Sequence, residues 1–284
     1  MRLDRYRQIL TLFLITLSFF IYAGSASAQT GKVTKAALEN GLTVLIEEQR
    51  SAPAVSIQMW VRVGGADESD RLAGISHVFE HMLFKGTARR KVGELAGAIE
   101  SVGGDINAYT SFDNTVYHLT VPSRYFDTGL DVISDAIQHS AFDPEELKKE
   151  LEVVLEEIRM NEDSPGRNLY KMLLSTAYSS HPYKRPVIGS KETVKGLTRD
   201  EIVKFFRRWY IPGNMTLVIA GDVDTKAALD AVKKGFAGFK NAPDPHRKRP
   251  VEPIQAGIRS QVASKDLKEA HVGMAFHIPA LRGK

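Results

Sequence analysis

Apolar positions recur along this chain with two periods, and the changes from one to the other mark its elements. "AALENGLTVLIEEQ" reads as two strands about Asn40-Gly41, a pair suited to the positive φ of a tight turn. "AVSIQMWVRVGG" alternates as a third strand and stops at Gly64-Gly65. After a loop with Asp67, Glu68 and Asp70 the period lengthens. Ile75, Val78, Phe79, Met82 and Leu83 then share one face of a predicted helix. "VGELAGAIESVGG" is a second short helix ended by Gly103-Gly104. "DINAYTSFD" and "NTVYHLTVP" return to strand character.

Helices dominate from there. One spans Tyr125 to about His139. A long one covers "DPEELKKELEVVLEEIRMNED", with Pro144 in its first turn and acids early, where the helix dipole favours them. Two more lie near Asn168–Tyr178 and Thr198–Tyr210. "NMTLVIAGDVD" is a buried strand and "TKAALDAVKKGFAGF" a helix. Strands and helices mix without strict alternation, which makes the fold class α+β.

Lys240 to Pro253, "KNAPDPHRKRPVEP", holds four prolines and four Lys or Arg residues in fourteen positions, the composition of a linker. Beyond it, "SQVASKDLKEAHVGMAFHIPALRGK" predicts one or two strands opening something new. So few short strands cannot bury their own apolar faces. The expected division is a leader over 1–28, a main domain over 29–240, a linker over 241–257, and over 258–284 the start of a second domain whose remainder is absent.

The leader reads "MRLDRYRQILTLFLITLSFFIYAGSASAQT": a basic head, an apolar run from Ile9 to about Ala23, then small residues ending Ala26-Ser27-Ala28. That layout is a secretory signal, with cleavage expected after Ala28. The apolar run is shorter than the ~20 residues of a spanning helix. The alternative is an uncleaved signal that anchors the protein in the membrane. Export to a periplasm or beyond follows from a cleaved signal, with no stable membrane span afterwards.

Composition narrows the chemistry. The 284 residues are 43% hydrophobic and 25% charged, as in a soluble globular protein. The net charge is +4, of which Arg2, Arg5 and Arg7 against Asp4 contribute half. The remainder is too balanced for a nucleic-acid binder. There is no cysteine, so a zinc site here must use His and carboxylate ligands.

Such a site is available in "GISHVFEHMLFKGT", Gly74 to Thr87. His77 and His81 are four apart, so a helix projects both from one face, where they can share one zinc ion. Glu80 stands beside that face, placed to take a proton from a metal-activated water as general base. The His-x-x-Glu-His order reverses the more familiar His-Glu-x-x-His. A third ligand can come from the long helix, where Glu150, Glu152, Glu156 and Glu157 all lie. Glu150 and Glu157 are seven apart and share a face, yet periodicity alone does not choose among the four. His118, His139, His181, His246, His271 and His277 have no partner at ligand spacing.

The motif stretch resembles the zinc motif of the pitrilysin/insulinase family of metallopeptidases, which includes the mitochondrial processing peptidases. "GGDINAYTSFDNTVYHLTVP", "LEVVLEEIRMNEDSP", "HPYKRPVIGS" and "WYIPGNMTLVIAGDVD" extend the similarity over about Lys35 to Lys240. The resemblance implies a zinc endopeptidase acting on peptides or unfolded protein, with a sheet packed against several helices as one of two similar halves. It implies His77, His81 and Glu157 as zinc ligands, Glu80 as general base and Glu150 as a support of the site. Asn107, Ala108 and Tyr109 would form the edge strand that receives substrate. Family members close a chamber with a second half that supplies further substrate-binding residues. This chain stops where that half would begin, so the expectation is a fragment, or a chain that works with a partner supplying the other half. The alternatives are a non-catalytic peptide-binding subunit of the same fold and a truncated, inactive fragment.

Overall fold

The computed structural model describes residues 32–278 apart from 246 and 248; the leader over 1–28 and its cleavage site lie outside the described residues. Six strands form one mixed sheet: β1 (Val33–Ala37), β2 (Thr43–Glu48), β3 (Ala54–Val61), β4 (Asp105–Thr110), β5 (Thr115–Pro122) and β6 (Met215–Gly221). Their order is β1-β2-β6-β3-β5-β4. All pairings are antiparallel except β2 with β6, which is parallel. Strand β6, from late in the sequence, thus sits between two strands formed early.

Alternation explains which face the sheet buries. Ile57 stands opposite Leu119 on β5 and Ile219 on β6, and Met59 opposite Tyr117 and Leu217. These rows are fully buried, while Ser56, Gln58 and Trp60 between them are only partly covered. One face is therefore core, and the other carries polar and aromatic residues. Among the described residues eight helices accompany the sheet: α1 (Ile75–Leu83), α2 (Glu94–Glu100), α3 (Phe126–His139), α4 (Pro144–Asp163), α5 (Pro165–Ala177), α6 (Lys191–Lys195), α7 (Arg199–Trp209) and α8 (Thr225–Gly235). Phe79 of α1 stacks among Phe142, Phe205, Phe206 and Tyr210, which locks the motif helix to α7 and the start of α4.

The fold is α+β, as the mixture of periods predicts, with ends of elements within a few residues of expectation. Two differences stand out. Helix α6 is a single capped turn: Ser190 Oγ accepts from the Thr193 amide, and Thr193 Oγ1 accepts from the Ser190 amide. It is too short to show a period. The strands expected beyond residue 258 do not form: after α8 the described chain has neither helix nor strand. Val272, Met274, Phe276 and Ile278 do alternate, but all four are exposed, with no neighbouring strand to take their backbone bonds.

That last stretch is nevertheless tied down. Glu252 accepts the backbone amides of Ser179, Ser180 and His181, each at 2.8 Å. Arg249 bridges the buried Asp67 and Asp113. Arg259 and His277 both reach the Ala177 carbonyl at the end of α5.

Candidate metal centre

Helix α1 begins at Gly74, whose φ of +98° lies in the left-handed region. A Cβ there would come within 2.7 Å of the Ile188 carbonyl oxygen, so only glycine fits. The first amides of the helix are met by the buried Glu68, which accepts from Gly74 and Ser76 at 2.8 Å each. Burial still pushes the Glu68 carboxyl up to about 7. Helix α4 starts from Asp143, which caps the amides of Glu145 and Glu146, and continues unbroken to Asp163. The two helices pack together, and their facing sides carry the candidate residues.

His77 and His81 lie one turn apart with ring centroids 4.8 Å apart. The Nε2 atoms of both face the Glu157 carboxylate, His77 to Oε2 and His81 to Oε1, each at 3.6 Å. That is too long for a hydrogen bond. It is close to the edge, about 3.3–3.4 Å, of a tetrahedron whose centre lies ~2.0–2.1 Å from each corner, the geometry of zinc with imidazole and carboxylate ligands. One ligand atom from each of the three residues lies within 4.8 Å of the others, the only such group of His and acids among the described residues. Burial, then the neighbouring His81, lowers His77 to about 4 and keeps its imidazole neutral at pH 7 with a free lone pair. The donor set and spacing fit a zinc ion.

Around these three the structure adds a second layer. His81 Nδ1 lies 3.1 Å from Glu150 Oε2, and the other Glu150 oxygen is 2.7 Å from Lys85 Nζ. Glu150 is nearly buried and Glu157 is 37% exposed. Of the four glutamates that periodicity leaves open, Glu150 and Glu157 face the histidines. Glu152 is exposed, and Glu156 pairs with Arg159 at 2.6 Å.

Glu80 accepts a hydrogen bond from Thr110 Oγ1, at the end of β4. Burial raises the Glu80 carboxyl above the usual carboxylate range and the Glu157 charge adds to this, against the Thr110 bond and His81. Asn107, Ala108 and Tyr109 lie on β4, which among the described residues pairs only with β5 and leaves its other edge open. The Ala108 amide donates instead to Asn107 Oδ1 at 2.8 Å. The motif residues, the two helix acids and the edge strand thus meet at one place. Sequence reasoning missed Glu68, Thr110 and Lys85. Lys85 carried a signal, standing four residues after His81 on the same helical side. Thr110 carried none, since only the tertiary fold brings it to Glu80.

Comparison with known proteins places this geometry. The chain is 32% identical over 262 residues to an uncharacterized zinc protease of Mycobacterium leprae, covering 90% of this chain and 58% of that protein. It is 31% identical over 238 residues to the uncharacterized zinc protease YmxG of Bacillus subtilis, covering 84% of this chain and 57% of that one. Among solved structures, a protease from Helicobacter pylori superposes with a TM-score of 0.74 at 31% identity, over 78% of this chain and 55% of that chain. The periplasmic protease PqqL of Escherichia coli gives 0.72 at 27% identity, over 82% of this chain and 26% of that chain. The chain therefore spans just over half the length of these curated relatives. Residues 196–284 match the description "Peptidase M16 inactive domain", and residues 43–191 match "Insulinase (Peptidase family M16)". As the latter stretch alone covers more than half of the sequence, the chain belongs to the insulinase, or M16, family of peptidases.

Proposed function

We propose that this chain is the metal-bearing half of a zinc-dependent endopeptidase that hydrolyses peptides or unfolded protein segments. The observation that carries this reading is the meeting of His77, His81 and Glu157 with Glu80 beside them. His77 Nε2, His81 Nε2 and a Glu157 oxygen would hold one zinc ion, and Glu150 would fix the His81 tautomer through Nδ1. A bound zinc ion supplies Lewis acidity to the attacking water and the scissile carbonyl. Glu80 takes the water proton at Oε1, the oxygen that Thr110 leaves free, and returns it to the departing amine.

In this reading the open edge of β4 at Asn107, Ala108 and Tyr109 receives an extended peptide through backbone hydrogen bonds. The bond from Ala108 to Asn107 then has to give way to substrate. Residues 29–240 form the peptidase domain, 241–257 the linker and 258–284 the start of a second domain. The rest of the substrate chamber comes from a second half or partner subunit. Residues 1–28 direct export, and their removal after Ala28 releases the mature protein in the periplasm or beyond. Support comes from the periplasmic PqqL, and no described helix is long and apolar enough to cross a membrane.

The test compares the mature chain with its Glu80→Gln variant for zinc content and cleavage of an unstructured peptide. Both should bind about one zinc ion, and the variant should lose at least about 100-fold in rate. Zinc binding without cleavage by either points to a peptide-binding subunit, or to a chamber that needs its other half. A folded chain that takes up no zinc overturns the reading.

A further inference from the structure

A cavity of about 570 Å³ lies beside the candidate centre. That is the size of a ligand pocket, typically about 300–1,000 Å³. It is framed by the last turns of α4, one face of α5, the loop after β4 and the loop before α6. Two of its residues directly follow residues of the centre: Ile158 comes after Glu157, and Ser111 after Thr110.

Its lining has two chemistries. Phe112, Ile158, Leu174 and Ile188 give it an apolar floor. Arg167, Lys171 and Lys184 bring three positive charges, with Arg167 and Lys171 one turn apart on α5. The one acid in the lining, Glu162, is ion-paired with Lys191 and is also drawn to Lys171 and Lys265, so a single carboxylate stands among several cations. Arg167 donates to the neutral Asn161 side chain and Lys184 to the Ser179 carbonyl, so neither charge is balanced by these bonds. Lys265 adds a further cation nearby, at 2.8 Å from the Glu162 carbonyl oxygen.

We infer that this cavity selects among peptides, seating a bulky apolar side chain on its floor and an adjacent acidic side chain on Arg167 and Lys171. The peptide nature of the ligand rests on the proposed function; the charge preference rests on the cavity alone. A carboxylate meeting these cations gains from complementarity that a lysine in its place would forfeit. Arg167 and Lys171 are exposed, so each contributes modestly and the contribution is screened by salt.

The experiment measures binding rather than cleavage, so the cavity is tested whether or not the chain is active. The full mature chain carrying Glu80→Gln, loaded with zinc, is titrated into dye-labelled, C-terminally amidated peptides by fluorescence anisotropy. The peptides share one Phe and differ only in a neighbouring Glu, Gln or Lys. The Glu peptide should bind about five- to tenfold more tightly than the Lys peptide at low salt, with Gln between. The Arg167→Glu, Lys171→Glu double variant should invert that order, and 0.5 M salt, on the order of a 4–5 Å screening length, should flatten it. Equal binding of the three peptides overturns the inference. So does an order unchanged in the charge-reversed variant while its circular dichroism remains native. If the order holds in a folded chain that takes up no zinc, the cavity stands and the peptidase reading of this chain falls.

Discussion

At the residue scale, Lys85 and Glu68 carry more than their positions in the sequence suggest. Lys85 holds one oxygen of Glu150 while the other holds His81. Lys85→Met should weaken zinc binding about tenfold or more, the usual effect of losing an outer partner of a ligand, and Lys85→Arg should restore most of it. Zinc titration of the metal-free protein checks this. If Lys85 acts through Glu150, adding Lys85→Met to Glu150→Gln should cost little further. Glu68 acts on stability. Its pKa of about 7 in the folded chain exceeds the ordinary 4.5, so the folded state binds the extra proton between those values. Its contribution is therefore fully present below about pH 4.5 and fades as pH rises through 7. Denaturant unfolding of Glu68→Gln should show a stability difference from the parent that shifts by up to about 3 kcal/mol across that window, in the variant's favour as pH rises. The paired histidines were legible because they need only a helical period. Choosing Glu157 over Glu150 was not, because both lie on the same face and differ in depth, which no one-dimensional pattern records.

At the element scale, the site depends on how α1 is started and where β4 is placed. The left-handed Gly74 lets the chain pass under the Ile188 carbonyl and turn directly into the motif helix. Gly74→Ala should destabilise the fold by about 1–3 kcal/mol, measured by urea unfolding, and should weaken zinc binding with it. Strand positions were legible from alternation wherever a partner strand exists. The segment Val272–Ile278 alternates as well as β3 does, yet stays irregular, because alternation describes a face and pairing requires a neighbour. Helix α6 was illegible for the opposite reason: its signal is a local exchange of hydrogen bonds over four residues, too brief for a period.

At the scale of the whole molecule, the stretch after α8 is held by ionic straps while leaving its apolar residues in solvent. Ile254 and Ile258 are each 98% exposed. Such a surface seeks a cover. The mature chain should self-associate in light scattering as its concentration rises. Deleting residues 251–284 should reduce that association while zinc binding persists. Unchanged association in the shortened chain would locate the sticky surface elsewhere.

The position of β6 governs how this molecule comes into being. Thr216 aligns with Thr43 on one side and Trp60 on the other, so the strand that closes the middle of the sheet is made last. Until it emerges from the ribosome, β2 and β3 each present an open border, and the sheet exists only as two unjoined pieces. Long-range closure of this kind is slow. A polypeptide interrupted between Asp163 and Met215 would hold all the candidate metal ligands on a body that cannot close, with two sticky borders for other chains to find. Assembly of the candidate centre is thus coupled to completion of synthesis through a strand that contributes no residue to the centre itself.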